Sequence, residues 1–295
     1  MKISKFFSKI TFIFILILSL FTIIKSAFPV AVFHGIGDAC SFPGTTDFVD
    51  YLKEKLRTEV RCIEQGNGFI TSWFTNFHKL SEMACESLKN NPIFQGDFSV
   101  VGISQGCLIA RYIIQKCQIK GKVRNFVSID GPHMGVGIIP RLTCGWLCNI
   151  INKSIGKLMY SGIIQDNLSP AGYYKDKFNI TAFKQFSSFL ADLNNEREIK
   201  NPDYKNKISQ LDKMLLIMNE SDTVVNPSSS AWFEFYDESD PNKVIPLRES
   251  TFYNDDFIGI KELDLLGKIK FVKLIGDHIH FSDFDIDTYM IPVLA

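Results

Sequence analysis

The hydrophobic pattern of the chain alternates between short apolar runs and longer amphipathic segments. The apolar runs are rich in β-branched residues and resemble buried strands; they cover 29–33, 97–101, 123–129, 214–218 and 269–275. Amphipathic segments with helical spacing lie between or after them; they cover 48–60, 77–89, 105–116 and 286–294. Because strands alternate with helices, we predict an α/β fold with a mostly parallel, doubly wound central sheet flanked by helices.

This alternation stops between residues 133 and 210, where strand-like runs disappear and Gly, Pro, Asn and Tyr interrupt the pattern. One apolar stripe there has helical spacing and consists of Phe183, Phe186, Leu190 and Leu193. We predict a helical cap inserted over the sheet of a single domain, residues 27–295. The alternative is that the segment holds ordinary sheet-packing helices. The stripe is a candidate wall for an apolar groove, or it only packs the cap onto the sheet.

The N-terminus resembles a targeting segment. Lys2, Lys5 and Lys9 precede an almost wholly apolar run, residues 10–24, which small residues follow. This run is shorter than the roughly 20 residues that a membrane-spanning helix needs. We therefore predict a cleaved signal peptide, residues 1–26, and no stable membrane span after cleavage. A retained signal anchor is the alternative.

Composition and charge narrow the choice of partners. Hydrophobic residues make up 46% and charged residues 22% of the chain, as in globular proteins. The formal net charge of the whole chain is zero, and loss of the four lysines before residue 27 leaves −4. No basic run indicates a nucleic-acid partner.

Cysteines and glycosylation motifs favour passage through the secretory pathway. All seven cysteines follow the predicted signal peptide, and an odd number leaves at least one outside intramolecular disulfides. Four sequons are candidate glycosylation sites; their asparagines are Asn152, Asn167, Asn179 and Asn219.

The strongest chemical motif is Gly102-Ile103-Ser104-Gln105-Gly106, which lies between a predicted strand and a predicted helix. A G-x-S-x-G sequence at a strand-to-helix turn is typical of the nucleophile elbow of α/β-hydrolases, in which the turn exposes the serine oxygen. The alternative is a glycine-flanked loop serine without catalytic function. The context of strand and helix favours the elbow.

A serine nucleophile needs a histidine base and an acid that orients it. In α/β-hydrolases these follow the serine in the order acid, then histidine, after later strands. Asp222 follows the strand predicted at 214–218, and His278 follows the last predicted strand. We predict the triad Ser104, Asp222 and His278. Two alternatives stay open from the residues alone: His280 as the base, and Asp130, which also follows a strand, as the acid.

The oxyanion hole needs two backbone donors. The N–H of Gln105, directly after the nucleophile, is the first candidate, and the N–H of Ile36 in the Gly-rich turn after the first strand is the second. The alternative is that this turn is a Gly-rich loop without a role in catalysis. We expect His34 to line it and His133 to line the substrate cleft. Asp277 is expected to point away from the site.

We predict no metal and no cofactor. Cys144 and Cys148 have zinc-like spacing but no second pair of ligands, so a disulfide is the preferred interpretation. The chain also has no glycine-rich phosphate-binding loop.

Taken together, several motifs resemble the palmitoyl-protein thioesterase family over about residues 29–294. They are His34-Gly35-Ile36-Gly37-Asp38, the serine elbow, Asp222-Thr-Val-Val-Asn-Pro, Trp232-Phe233-Glu234-Phe235-Tyr236 and Gly276-Asp277-His278. The resemblance implies an α/β-hydrolase that removes long acyl chains, chiefly palmitate, from S-acylated proteins or peptides. Fatty acyl thioesters are then the substrates and the lysosome is the location, with secretion as an alternative. Carried over by position, the triad is Ser104, Asp222 and His278, which decides against Asp130.

The cysteines both match and depart from the family pattern. Cys85 with Cys117, and Cys144 with Cys148, match family disulfides. The family has two adjacent cysteines after the His-Gly turn, whereas here Ser41 follows Cys40. Three cysteines therefore stay unassigned, namely Cys40, Cys62 and Cys107.

Two other functional classes remain possible on the same fold. One is a secreted oxyester lipase or carboxylesterase, because nothing in the triad itself distinguishes a thioester from an oxyester. The other is a catalytically inactive binding protein, against which the intact serine, aspartate and histidine argue.

Overall fold

The computed structural model describes residues 27–137 and 156–295. The predicted signal peptide, the predicted pair Cys144–Cys148 and the sequon at Asn152 lie outside these ranges. Within them, no helix combines the length and the hydropathy that crossing a bilayer requires.

Six parallel strands form the central sheet, in the order β2-β1-β3-β4-β5-β8. Their bounds are β1 Val30–Phe33, β2 Val60–Cys62, β3 Phe98–Ile103, β4 Val123–Ile129, β5 Lys213–Asn219 and β8 Ile269–Leu274. Two short strands, β6 Phe235–Tyr236 and β7 Val244–Ile245, form a separate antiparallel pair. The predicted α/β class with a mostly parallel sheet is confirmed.

Helices flank the sheet and fill most of the connections. Their bounds are α1 Pro43–Leu56, α2 Phe69–Trp73, α3 Phe77–Asn90, α4 Gly106–Gln115, α5 Gly162–Asn167, α6 Ile180–Phe186, α7 Leu190–Leu193, α8 Pro202–Ile208, α9 Thr251–Asn254, α10 Ile260–Leu265, α11 Asp283–Asp285 and α12 Ile291–Leu294. Three-residue to five-residue 3₁₀ turns occur at Pro92–Phe94, Ser169–Tyr173, Ser228–Trp232 and Leu247–Glu249, and a π-helical turn at Ile286–Met290 precedes α12.

The region predicted as one helix, residues 48–60, contains the end of a helix and a strand. Helix α1 begins at Pro43, five residues before the predicted start. Proline is well suited to the first turn of a helix, because the N–H that it lacks would have no partner within the helix. Arg57, with a φ of 51°, ends the helix in the left-handed conformation. The chain then forms β2, a three-residue edge strand too short for its pattern to be recognised.

Side chains alternate between two apolar layers, one on each face of the sheet. In β1, Val30 and Val32 belong to the layer that includes residues of α1 and α12. Ala31 and Phe33 belong to the other layer, which includes residues of α3 and α4. The four inner strands β1, β3, β4 and β5 are thus buried on both faces, which explains why they appear in the sequence as continuous apolar runs. The edge strands β2 and β8 are only partly buried.

Between β4 and β5, the described residues include four helical residues at 156–159, helices α5 to α8 and one 3₁₀ turn. Phe183, Leu190 and Leu193 are fully buried in the apolar layer that contains α3 and α4, whereas Phe186 is 51% exposed. The stripe therefore packs this segment onto the body of the protein, as the packing alternative expected. The cap itself stays a prediction.

Two disulfides join distant parts of the described chain. Cys85 in α3 bonds to Cys117 after α4, the pair that the family resemblance implied. Cys40 bonds to Cys62 at the end of β2, a pairing that the sequence left unassigned. The thiol of Cys107 is buried and free.

Candidate active site

Three loops meet at the carboxyl edge of the sheet and bring together the predicted triad. Ser104 follows β3, Asp222 lies beyond β5, and His278 lies beyond β8. The Nε2 atom of His278 lies 2.8 Å from Ser104 Oγ, and its Nδ1 atom lies 2.7 Å from Asp222 Oδ2. A carboxylate only accepts hydrogen bonds, so the Nδ1–H donates to Asp222 and Nε2 is free to accept from the serine hydroxyl.

Ser104 has the backbone conformation of a nucleophile elbow. Its φ is 52°, in the left-handed region that non-glycine residues rarely adopt. Its N–H donates to the carbonyl of Ile129 at 2.8 Å. A Cβ atom at Gly102 would collide with Cys107, and one at Gly106 would collide with the carbonyl of Phe33. The two glycines of the motif are thus required by close backbone packing.

Asp222 is held by backbone donors. Its Oδ1 accepts from the N–H groups of Val224 and Val225, both at 2.8 Å, and Oδ2 faces His278. The side chain of Asp222 is only 1% exposed. The Asp222 carboxylate is thus held in place by two backbone N–H groups and by its contact with the His278 ring.

A second contact joins the loops that carry Asp222 and His278. Asp277 Oδ1 accepts from the N–H and the hydroxyl of Thr223, both at 2.9 Å, and from the N–H of His278 at 2.7 Å. These hydrogen bonds lower the pKa of Asp277. Asp277 therefore binds the two loops together. The alternative base, His280, is exposed and lies over Gly276.

Asp130, the alternative acid, is fully buried next to the triad. One of its carboxylate oxygens, one from Asp222 and one ring nitrogen of His278 lie within 4.8 Å of one another. However, Asp130 receives its hydrogen bonds from the backbone N–H groups of Asn219 and Ile279 and from the Asn219 amide, each at 2.7 Å. Burial raises the pKa of Asp130.

The same contacts correct one glycosylation prediction. Asn219 is fully buried, and its Nδ2 atom donates to Asp130. A glycan needs this nitrogen accessible, so the sequon at Asn219 does not fit the folded structure. Asn167 and Asn179 are exposed, and they stay predicted sites.

The two candidate oxyanion donors belong to segments that both adjoin the nucleophile. Within the described residues, the N–H groups of Ile36 and Gln105 donate no hydrogen bond and are free for a ligand. A Cβ at Gly35, which precedes Ile36, would lie 3.3 Å from Ser104 Cβ. The oxyanion turn therefore runs directly beside the nucleophile.

Sequence reasoning missed the residues that fix Gln105. Its side-chain amide donates to the carbonyl of Ser72 at 3.1 Å and accepts from the hydroxyl of Tyr173 at 3.0 Å. Neither residue has a recognisable motif, because both contacts join segments far apart in the chain. Together they hold the residue after the nucleophile from two sides.

His34 and His133, the two histidines predicted to lie near the oxyanion turn and the substrate cleft, have different environments. His34 lies beside the oxyanion turn as predicted, bonded at 2.9 Å to the Gly35 carbonyl and at 2.7 Å to Glu64. The prediction that His133 lines the substrate cleft is wrong. Its ring is fully buried, stacks on Phe233 at 4.4 Å and bonds to Ser128, because the chain turns into the core after β4. Burial lowers the pKa of His133 well below its usual value.

Two groups of possible metal ligands occur in the described residues, but each is already engaged. The first contains Cys40, whose sulfur is in a disulfide. The second consists of the candidate triad's Asp222 and His278 with Asp130, and its oxygens accept several hydrogen bonds. The absence of a cofactor stays a prediction.

A cavity of about 570 Å³ lies away from the triad. Its wall includes Lys175 and Ile180 and residues of the β6–β7 pair, but none of the triad. The predicted acyl groove between the sheet edge and the cap therefore stays a prediction.

Comparison with known proteins assigns the chain to a family. The sequence model of the palmitoyl protein thioesterases matches residues 29–278. The chain belongs to this family. It is 32% identical over 258 residues to Palmitoyl-protein thioesterase 1 of Caenorhabditis elegans, covering 85% of this chain and 86% of the relative. It is 30% identical over 271 residues to Palmitoyl-protein thioesterase 3 of Dictyostelium discoideum, covering 92% and 90%.

Another relative of this palmitoyl protein thioesterase is named Lysosomal thioesterase PPT2 homolog, from Drosophila melanogaster. It is 31% identical over 189 residues, which are 61% of each chain. Among solved structures, a monoacylglycerol lipase of Paleococcus ferrophilus aligns over 90% of this chain and 92% of its own. The TM-score is 0.46 at 11% identity.

Proposed function

We propose that this family member hydrolyses long-chain acyl thioesters, chiefly palmitoyl, on cysteines of S-acylated proteins or peptides during lysosomal degradation. The observation that carries the proposal is the hydrogen-bonded series Ser104, His278, Asp222 in a chain of the palmitoyl protein thioesterase family. Neither half suffices alone, because the triad does not select thioesters and the family match does not give geometry.

In the proposed first step, Ser104 Oγ attacks the thioester carbonyl while His278 Nε2 takes its proton. The distance of 2.8 Å between these atoms is suited to that transfer. Asp222 accepts from Nδ1–H at 2.7 Å and stabilises the imidazolium that forms. The oxygen of the tetrahedral intermediate accepts from the N–H groups of Ile36 and Gln105.

The imidazolium then gives its proton to the departing cysteine sulfur, and the carbonyl is restored as an acyl-serine. A thiol has a pKa near ~8.5, so its sulfur leaves more easily than an amine or an alkoxide. Water next attacks the acyl-serine while His278 takes its proton. His278 then returns this proton to Ser104 Oγ as the bond from Oγ to the acyl carbon breaks, and the fatty acid leaves. No step needs a group from outside the chain other than water.

The lysosomal part of the proposal rests on one prediction and two observations. The prediction is the signal peptide, which would direct the chain into the secretory pathway. The first observation is the Drosophila melanogaster relative named as a lysosomal thioesterase. Two disulfides in the described residues fit an oxidising compartment.

The test compares an S-palmitoyl-cysteine peptide with the matched O-palmitoyl-serine peptide, using the wild type and Ser104→Ala. We expect the thioester to be cleaved with higher kcat/KM and the variant to be inactive on both. Faster cleavage of the oxyester would instead indicate a lipase or carboxylesterase. Failure of a fluorophosphonate to label Ser104 would indicate an inactive binding protein.

A further inference from the structure

Five large apolar side chains form an exposed surface that the proposed chemistry does not use. We call it the aromatic rim; its members and exposed fractions are Phe42 42%, Phe69 46%, Ile70 56%, Trp73 37% and Phe74 66%. Four of them belong to α2 or directly follow it, and Phe42 reaches the Phe69 ring at 6.1 Å between centroids. Exposed apolar residues are normal singly, but a contiguous group indicates an interaction site.

The aromatic rim is attached to the candidate active site. The N–H of Gly37, in the oxyanion turn, donates to Ser72 Oγ in α2 at 2.9 Å. A Cβ at Gly37 would lie 3.0 Å from Trp73 Nε1, so the indole rests on the turn itself. The Ser72 carbonyl also accepts from the side chain of Gln105. Whatever the rim binds is therefore held beside Ser104.

The charge pattern indicates the chemistry of the partner. Residues 65–77, which include α2, contain no Asp, Glu, Lys or Arg, and neither do residues 39–46 around Phe42. A charged side chain carried into a lipid interface would have to be desolvated or displaced. These two segments can enter an apolar phase without that cost. Trp and Phe are also residue types that favour the boundary between lipid and water.

The shape of the rim distinguishes a lipid surface from a ligand groove. Ile70 and Phe74 are more than half exposed, so they project outward. A groove that held one acyl chain would instead have walls on both sides and would shield its lining residues from water. A projecting, uncharged aromatic surface is complementary to an extended apolar layer.

We propose that the aromatic rim docks this protein onto the surface of a lipid membrane. The palmitoyl chain of a membrane-bound substrate then passes beside the rim, and its thioester carbonyl reaches Ser104. This inference rests on the proposed thioesterase function for its substrate. Its physical content, insertion of the rim into lipid, is independent of catalysis.

The test uses neutral phosphatidylcholine vesicles in a flotation assay with the full-length mature protein. The variant is Ile70→Ser with Phe74→Ser, both exposed and outside the catalytic machinery. The matched control is Leu265→Ser with Leu266→Ser, which removes residues that are 74% and 60% exposed elsewhere on the surface. We expect the rim variant to bind at least about tenfold more weakly, equal to about 1.4 kcal/mol. The control variant should bind the vesicles as the wild type does. High salt should not weaken the binding of the wild type.

Activity on two substrates completes the test. With a short, soluble acyl thioester the rim variant should equal the wild type, and with a palmitoyl peptide in vesicles it should be slower. If the wild type cleaves the soluble thioester but does not float with vesicles, the docking proposal is wrong and the thioesterase proposal stands. If the wild type binds vesicles but does not cleave the soluble thioester, the thioesterase proposal is wrong and the docking proposal stands. An equal loss on a dissolved long-chain thioester without vesicles would assign the rim to acyl-chain binding and overturn docking.

Discussion

Asp222 and Asp130 both lie near His278. Replacing each of them in turn with asparagine should show which one is the catalytic acid. In Asp222→Asn, the amide oxygen can keep the hydrogen bonds from Val224 and Val225. The amide NH₂ group then faces His278 Nδ1 and donates to it. That forces the imidazole proton onto Nε2, where it opposes the hydroxyl of Ser104.

The wrong tautomer removes the base without disturbing the fold. Loss of the orienting acid in serine hydrolases lowers kcat by about 10⁴, equal to about 5.5 kcal/mol. Two of the three hydrogen bonds of Asp222 are kept and the third is replaced, so the melting temperature should stay nearly unchanged. We expect an enzyme that is folded but has lost about three to four powers of ten in kcat/KM.

We expect Asp130→Asn to affect stability more than Asp222→Asn does, and activity less. The Asp130 carboxylate accepts from Asn219 N–H on one oxygen and from Asn219 Nδ2 and Ile279 N–H on the other. Whichever way the new amide points, its NH₂ group opposes a backbone N–H, either that of buried Asn219 or that of Ile279, whose hydrogen bond to Asp130 is partly buried. Leaving one buried donor unsatisfied costs about 1–3 kcal/mol. Each kcal/mol lowers the melting temperature by roughly 2–4 °C in a domain of this size.

The effect of Asp130→Asn on activity should be smaller. A charge 4.8 Å from the imidazolium contributes about 3.5 kcal/mol at an effective dielectric constant of about 20. Solvent and the retained Asp222 reduce this, so kcat/KM should fall by about 10- to 100-fold. The tautomer of His278 is unaffected, because Asp130 bonds to the backbone of Ile279 and not to the ring.

The assay measures kcat/KM on a soluble acyl thioester together with thermal unfolding of both variants. Asp222→Asn should be the less active protein and Asp130→Asn the less stable one. If Asp130→Asn were the less active and melted like the wild type, Asp130 would be the acid. The assignment of Asp222 would then be wrong.

Three further outcomes are expected. Ser104→Ala should abolish thioester turnover and keep the melting temperature, because the buried hydroxyl donates only to His278; wild-type rates in that variant would refute the mechanism. Replacing Cys85 and Cys117 by serine should lower the free energy of unfolding in urea by roughly 3–4 kcal/mol, since the bond closes a loop of 32 residues; an unchanged midpoint would contradict this. Burial raises the pKa of the Cys107 thiol to about 12, so native protein at pH 8 should resist iodoacetamide at this residue until it unfolds, as peptide mapping can check.

Local patterns determined the sheet and the nucleophile. Five of the six sheet strands are long enough to be recognised from the sequence. The inner four carry few polar residues because they are buried on both faces, whereas the edge strand β8 is only partly buried. The serine elbow is likewise a local structure, since Gly102 and Gly106 are needed by packing within a few residues of Ser104. The order of Ser104, Asp222 and His278 then placed all three at the same edge.

Other features depended on contacts between distant segments. No sequence pattern pairs Cys40 with Cys62, because their proximity results from β2 lying beside β1. His133 and Asn219 carry polar side chains suited to a cleft or a glycan, yet the fold buries both. A one-dimensional pattern records polarity, whereas burial depends on which strand or helix covers a residue.

The choice between the two acids shows this difference most clearly. Asp130 and Asp222 each follow a parallel strand, so the local pattern treats them alike. Only the tertiary structure directs Asp222 to the ring of His278 and Asp130 to the backbone of the next residue. Hydrogen bonds are directional and act over about 3 Å, so the assignment depends on loop positions that the sequence pattern does not contain.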